Sequence, residues 1–127
     1  VQQAITEKMH ASGIPFTSEL AGCASQDWPY THYEDRGRAL GDLQKTYGNY
    51  HFFVPKFGKW FTGQQVAGAA LGVIAEGRLQ DSVNINIHEI LHEFGAGHID
   101  EPCNVMGAIK ACENPQILEQ TLREIGL

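Results

Sequence analysis

The amino-acid sequence predicts one mixed domain of helices and strands, an α/β (α+β) fold spanning residues 1–127. Three observations carry that reading. Apolar residues recur at helical spacing in four stretches. Two other runs, YHFFV and AGAALGVIAEG, have the aromatic, β-branched and small apolar make-up of strands. The chain has no internal repeat, linker or low-complexity segment, and 127 residues are enough to bury a single core.

Val1, Ile5, Met9 and Ser12 share one stripe of a first helix, which Gly13 and Pro15 stop. IPFTSEL alternates loosely and is expected as a short strand, and AGCASQDWPY as a loop. Ala39, Leu40, Leu43 and Tyr47 mark a second helix from about Tyr33 to Tyr47, closed by Gly48. YHFFV is the clearest strand, and Pro55 ends it. FGKWFTGQQ reads as a turn-rich connection. The AGAALGVIAEG strand carries glycines where other backbone can approach closely, and Gly77 closes it. A third helix covers roughly Ser82 to Phe94, capped by Asp81 or Ser82, with Ile87, Ile90, Leu91 and Phe94 as its buried stripe. A last helix is expected from about Pro115 to Ile125, with Asn114 as N-cap and Ile117, Leu118, Leu122 and Ile125 facing inward.

The net charge is −6, and lysines and arginines are scattered singly. No basic cluster exists to hold nucleic acid or an anionic membrane surface. No apolar run reaches the roughly 18 residues a membrane helix needs. There is no basic-then-apolar leader and Met9 is not a natural start, so a mature form or excised domain is expected. Cys23, Cys103 and Cys112 do not fit zinc-ribbon spacing. They allow one disulfide plus a thiol, with three ways to choose the pair, or a fully reduced set.

The chemistry concentrates in residues 88 to 98, HEILHEFGAGH. His88 and His92 are four apart, so on a helix they stand one turn above the other on one face. Both imidazoles can then reach one metal at about 2.0–2.1 Å. Glu89 is offset by about 100° and does not easily ligate the same ion, but its carboxylate can reach a water there. On a continued helix His98 would lie roughly 9 Å further along the axis, so the chain has to turn back to use it. Gly95 stands where a left-handed residue would end the helix, and Gly97 adds freedom. Three protein ligands leave a position open, the catalytic rather than the structural arrangement of zinc. The alternatives are three unrelated histidines, or a structural zinc with Asp100 as fourth ligand or in place of His98. His10, His32 and His51 have no metal-like spacing and are expected at the surface or hydrogen-bonded. Glu93 is expected in solvent, and Trp28 and Trp60 in core or rim packing.

These residues resemble the metzincin metallopeptidases, whose extended motif HExxHxxGxxH matches at every fixed position. That family has a methionine turn soon after the third ligand, and in CNVMG the matching residue is Met106. The resemblance is strong over about His88 to Gly107. It implies a small, mixed, twisted sheet above a motif helix that floors a zinc cleft, with YHFFV and ALGVIAE as strands. The second of these is expected at the sheet edge on the cleft rim, and PQILEQTLREIGL as the closing helix. The chain is shorter than most members, and a first strand is expected before Val1 or displaced. Two positions depart from the pattern. Ile99 stands where many groups carry a diagnostic residue, so no subfamily is assigned. Ala108 stands where astacin- and serralysin-like members carry a tyrosine.

The resemblance implies a zinc-dependent endopeptidase with one catalytic ion on His88, His92 and His98. Glu89 would be the general base, and Gly95 and Met106 structural residues near the site. It implies a peptide or protein substrate, with the cleft-rim strand aligning an extended peptide. The chain is expected to be a monomer, secreted or extracellular, with a Cys103–Cys112 disulfide bracketing the methionine turn. Cys23 does not match the family's inhibitory cysteine segment. The rival readings are a zinc hydrolase cutting peptidoglycan cross-links, and a zinc-binding module without turnover.

Overall fold

The computed structural model describes residues 1–74, 79–107 and 114–127. Its elements in chain order are α1 (Gln2–Ala11), a 3-10 turn (Tyr33–Asp35) leading into α2 (Arg36–Tyr47), β1 (His51–Val54), β2 (Gly63–Val66), β3 (Ala69–Val73), α3 (Leu79–Glu93) and α4 (Glu119–Glu124). The fold is mixed α+β, as the sequence predicts. The strand order is β1-β3-β2, with β1 parallel and β2 antiparallel to β3. No helix among the described residues is long and apolar enough to cross a membrane.

The period-2 geometry of β3 separates two cores. Ala69, Leu71 and Val73 pack with Leu40 and Leu43 of α2. On the other face Gly72 lies against α3, where an added Cβ would sit 2.2 Å from the Asn86 side chain. The predicted close approach at a strand glycine is therefore real. Beyond it, Val83, Ile87, Ile90 and Leu91 of α3 join Ile5 and Met9 of α1 and the turn residues Val105 and Met106.

Two buried polar knots hold α3 in place. Asn86, fully buried, donates through Nδ2 to Ser82 O at 2.7 Å and accepts from His51 Nε2 at 2.6 Å. Lys8 donates to Asn84 Oδ1 at 2.7 Å and to Pro115 O at 2.8 Å, tying α1 to α3 and to the C-terminal segment. Neither is a paired charge. Burial accordingly pulls the Lys8 ammonium below the ordinary lysine range.

Burial also lowers the His51 pKa, against the pull of its Asn86 hydrogen bond. The unfolded chain then binds more protons than the folded one below about pH 6.5. His51 should therefore destabilise the fold as pH falls through that value, and contribute no pH dependence above it. Melting of metal-free protein between pH 7.5 and 5 should show a steeper acid decline in the parent than in His51→Gln; equal slopes would exclude this role.

Several sequence expectations need correction. IPFTSEL is not a strand. It runs back along α1, held by His10 Nε2 against Phe16 O and by Gln2 on Ser18. The turn-rich FGKWFTGQQ contains the start of β2, whose glycine and glutamines carry no strand signature. β3 is the central strand, so the strand expected at the sheet edge is not at the edge, and it is the edge strand β2 that puts Gly63 against Glu89. The last helix is only Glu119–Glu124. Residues before it are drawn into a bridge under the methionine turn, Gln116 N to Cys103 O at 2.8 Å and Val105 N to Gln116 O at 2.9 Å. α3 begins at Leu79 rather than near Ser82, and Phe94 is 47% exposed instead of closing the buried stripe. Gly77, Ala108 and Cys112 lie outside the described residues.

Candidate metal centre

α3 buries Val83, Ile87, Ile90 and Leu91, and its part-buried His88 and His92 stand one turn apart. The helix ends where Gly95 takes φ 106°. Gly95 N donates to His92 O at 3.1 Å and Ala96 N to Leu91 O at 3.0 Å, the paired bonds of a Schellman stop. The reversal brings His98 back over the helix, while Gly97 N donates to Glu124 Oε1. The result is a triangle of imidazole nitrogens. Nε2 of His92 lies 3.0 Å from Nε2 of His88, and Nε2 of His98 lies 3.2 Å from that of His88 and 3.1 Å from that of His92.

Two of the three tautomers are fixed from outside the triangle. His88 Nδ1 donates to Val105 O at 2.6 Å, and His92 Nδ1 to Ala96 O at 2.7 Å. A carbonyl only accepts, so each neutral ring carries its hydrogen on Nδ1 and presents a bare Nε2 lone pair. The His88–His92 approach at 3.0 Å therefore sets lone pair against lone pair, and His98 can donate to only one of them. Protonation is a poor remedy at His88, since burial pushes its pKa down to about 4, and the two neighbouring rings act in the same direction. A cation in the centre turns the facing Nε2 lone pairs of His88 and His92 into ligands, and His98 Nε2 joins them when its hydrogen is on Nδ1. Tetrahedral bonds of 2.0–2.1 Å would space the nitrogens about 3.3–3.4 Å apart, within a few tenths of an ångström of the triangle. The three histidines are thus a group that could hold a metal ion. Asp100, exposed, is outside that group.

Glu89 is 8% exposed, and its Oε1 lies 4.0 Å from His88 Nε2. Glu89 is beside the three histidines but is not one of the group that could hold an ion. Burial pushes its carboxyl up to about 7, partly offset by the positive charge of Arg36. Its seat is Gly63, the first residue of β2. A Cβ there would lie 2.7 Å from Glu89 Cγ and 2.8 Å from Leu71 O. The second contact is backbone, so moving Glu89 alone does not relieve it. Gly63→Ala should cost about 1–3 kcal/mol by overpacking and shift Glu89. Its unfolding midpoint in urea should drop; an unchanged midpoint would show that the strand yields freely.

Met106 is fully buried, and its turn is joined directly to the first histidine through Val105 O. Asn104 forms the turn's interior. Its Nδ2 donates to Ile99 O and Glu101 O, and its Oδ1 accepts from Met106 N at 2.9 Å. Sequence reasoning gave Asn104 no role of its own, nor Gly63, Asn86 or Arg36. Cys103 is disulfide-bonded and Cys23 is a free, exposed thiol; the expected partner Cys112 is outside the described residues. Of the other histidines, His51 is hydrogen-bonded in the interior, and His10 and His32 are exposed. Glu93 is not simply solvated. It accepts from Gln65 Nε2 at 3.1 Å and Gly68 N at 3.3 Å, fastening the β2–β3 hairpin to α3. Trp28 packs against Tyr30 and Phe57, and Trp60 is 46% exposed.

No family model, curated protein or solved structure matches the chain.

Proposed function

We propose that the protein is a zinc-dependent endopeptidase resembling the metzincins, with one zinc on His88, His92 and His98. The observation that carries this reading is the triangle of Nε2 atoms, two of them held as bare lone pairs by the Val105 and Ala96 carbonyls, with Glu89 beside it. When bound there, zinc supplies a Lewis acid that polarises a carbonyl and makes a water acidic near neutral pH. Glu89 takes the proton from the attacking water at its carboxylate and passes it to the leaving amine. β2 has β3 as its only strand neighbour among the described residues, which leaves its outer edge to pair with an extended peptide. Because Gly63 opens that strand and touches Glu89, a peptide laid along it runs past the reactive groups. The chain acts as a monomer, and the disulfide at Cys103 favours a secreted or extracellular setting.

Digestion of a diverse peptide library with and without a chelator tests this. Internal cleavage that stops with chelator and returns with zinc is expected. A protein that binds zinc yet cleaves nothing is a binding module, and release of peptidoglycan cross-links alone would move the substrate class.

A further inference from the structure

Arg36 is the first residue of α2. Its guanidinium lies 3.8 Å from the centroid of the Tyr33 ring, and Nη1 donates to Thr62 Oγ1 at 3.3 Å. Thr62 directly precedes Gly63, the seat of Glu89. Among the described residues no carboxylate forms an ion pair with Arg36, and the adjacent Asp35 is held by Arg38 at 3.0 Å. A cation in the first turn of a helix is opposed by the helix dipole, and here its charge acts on the Glu89 carboxyl instead. One neutral hydroxyl uses one of five donors and leaves the planar fork largely free. Beside it, the Tyr33 and Trp60 rings stand 5.3 Å apart, 37% and 46% exposed, and Lys59 lies over the Trp60 ring.

We infer that Arg36 anchors a carboxylate of the substrate, on a ledge walled by Tyr33 and Trp60 at the Gly63 end of the edge strand. This rests on the peptidase reading above and adds a specificity to it. A half-buried guanidinium stacked on an aromatic ring presents a fixed fork for bidentate recognition of a carboxylate. The neighbouring rings supply apolar surface for the chain that carries it. Two sources offer that chemistry: an acidic side chain, or the free C-terminal carboxylate of a short peptide.

The test starts from one neutral peptide that the protein cleaves. It is remade with Glu at each position flanking the scissile bond in turn, and separately with a free or an amidated C-terminus. Affinities for the zinc-loaded Glu89→Gln protein are measured by calorimetry, which needs no turnover. One acidic position, or the free terminus, should bind about tenfold more tightly than its neutral counterpart. That ratio should fall close to one in Arg36→Gln, keep an intermediate value in Arg36→Lys, and shrink with added salt. Thermal melting of both variants checks that they fold. A ratio near one at every position in the parent, or a ratio that survives Arg36→Gln, overturns the anchor while leaving the peptidase intact. If no peptide is bound or cleaved in any arm, the peptidase reading falls and the anchor falls with it.

Discussion

Glu89→Gln should give a folded, zinc-loaded protein that hydrolyses peptides at least about 10²-fold more slowly than the parent. Glutamine keeps the volume that fits against Gly63 and keeps the reach toward His88, so the packing of β2 on α3 stays intact. What it loses is the ability to accept a proton. The variant should also melt no lower than the parent, because a buried amide is less costly to desolvate than a buried carboxylate. Affinity for uncleaved peptide should persist. The measurement is kcat alongside zinc content and melting temperature. Parent-like kcat would remove Glu89 from the mechanism; loss of zinc in the same variant would make it a ligand.

The second large effect concerns His98. Its side chain is exposed at the end of the reversal, so His98→Ala should leave the metal-free fold unchanged. Zinc affinity should fall by at least about 10²-fold, one ligand's share of the roughly 10–16 kcal/mol that four-ligand zinc sites contribute. Asp100→Ala, outside the triangle, should bind zinc like the parent. Competition with a chromophoric chelator measures both. Loss in Asp100→Ala with none in His98→Ala would reassign the third ligand.

The spacing of His88, His92, Gly95 and His98 makes the triangle legible in the sequence, because helical periodicity and a left-handed stop are local properties. The positive φ at Gly95 and the paired bonds behind it are the stop that spacing requires. The groups that fix the tautomers were not legible. They are backbone carbonyls of Val105 and Ala96, and a carbonyl leaves no mark in residue identity. β2 was hidden for a related reason. GQQV has little strand propensity, and it is a strand because β3 offers a partner and Glu89 needs a glycine beside it. The last helix was overextended because Asn114 and Pro115 are a sound local start signal. A nonlocal bridge from Gln116 to Cys103 and Val105 takes those backbone groups instead. Asn104, read as one letter of a turn, is its hydrogen-bonded centre.

A single zinc titration of the metal-free protein, following bound metal and cleavage of a library-derived peptide together, tests the proposed zinc peptidase activity most directly. Cleavage should be absent at the start, rise in step with bound zinc, and reach a plateau at one equivalent per chain. Hydrolysis before any zinc is added, or full occupancy of the triangle with no hydrolysis, would contradict it.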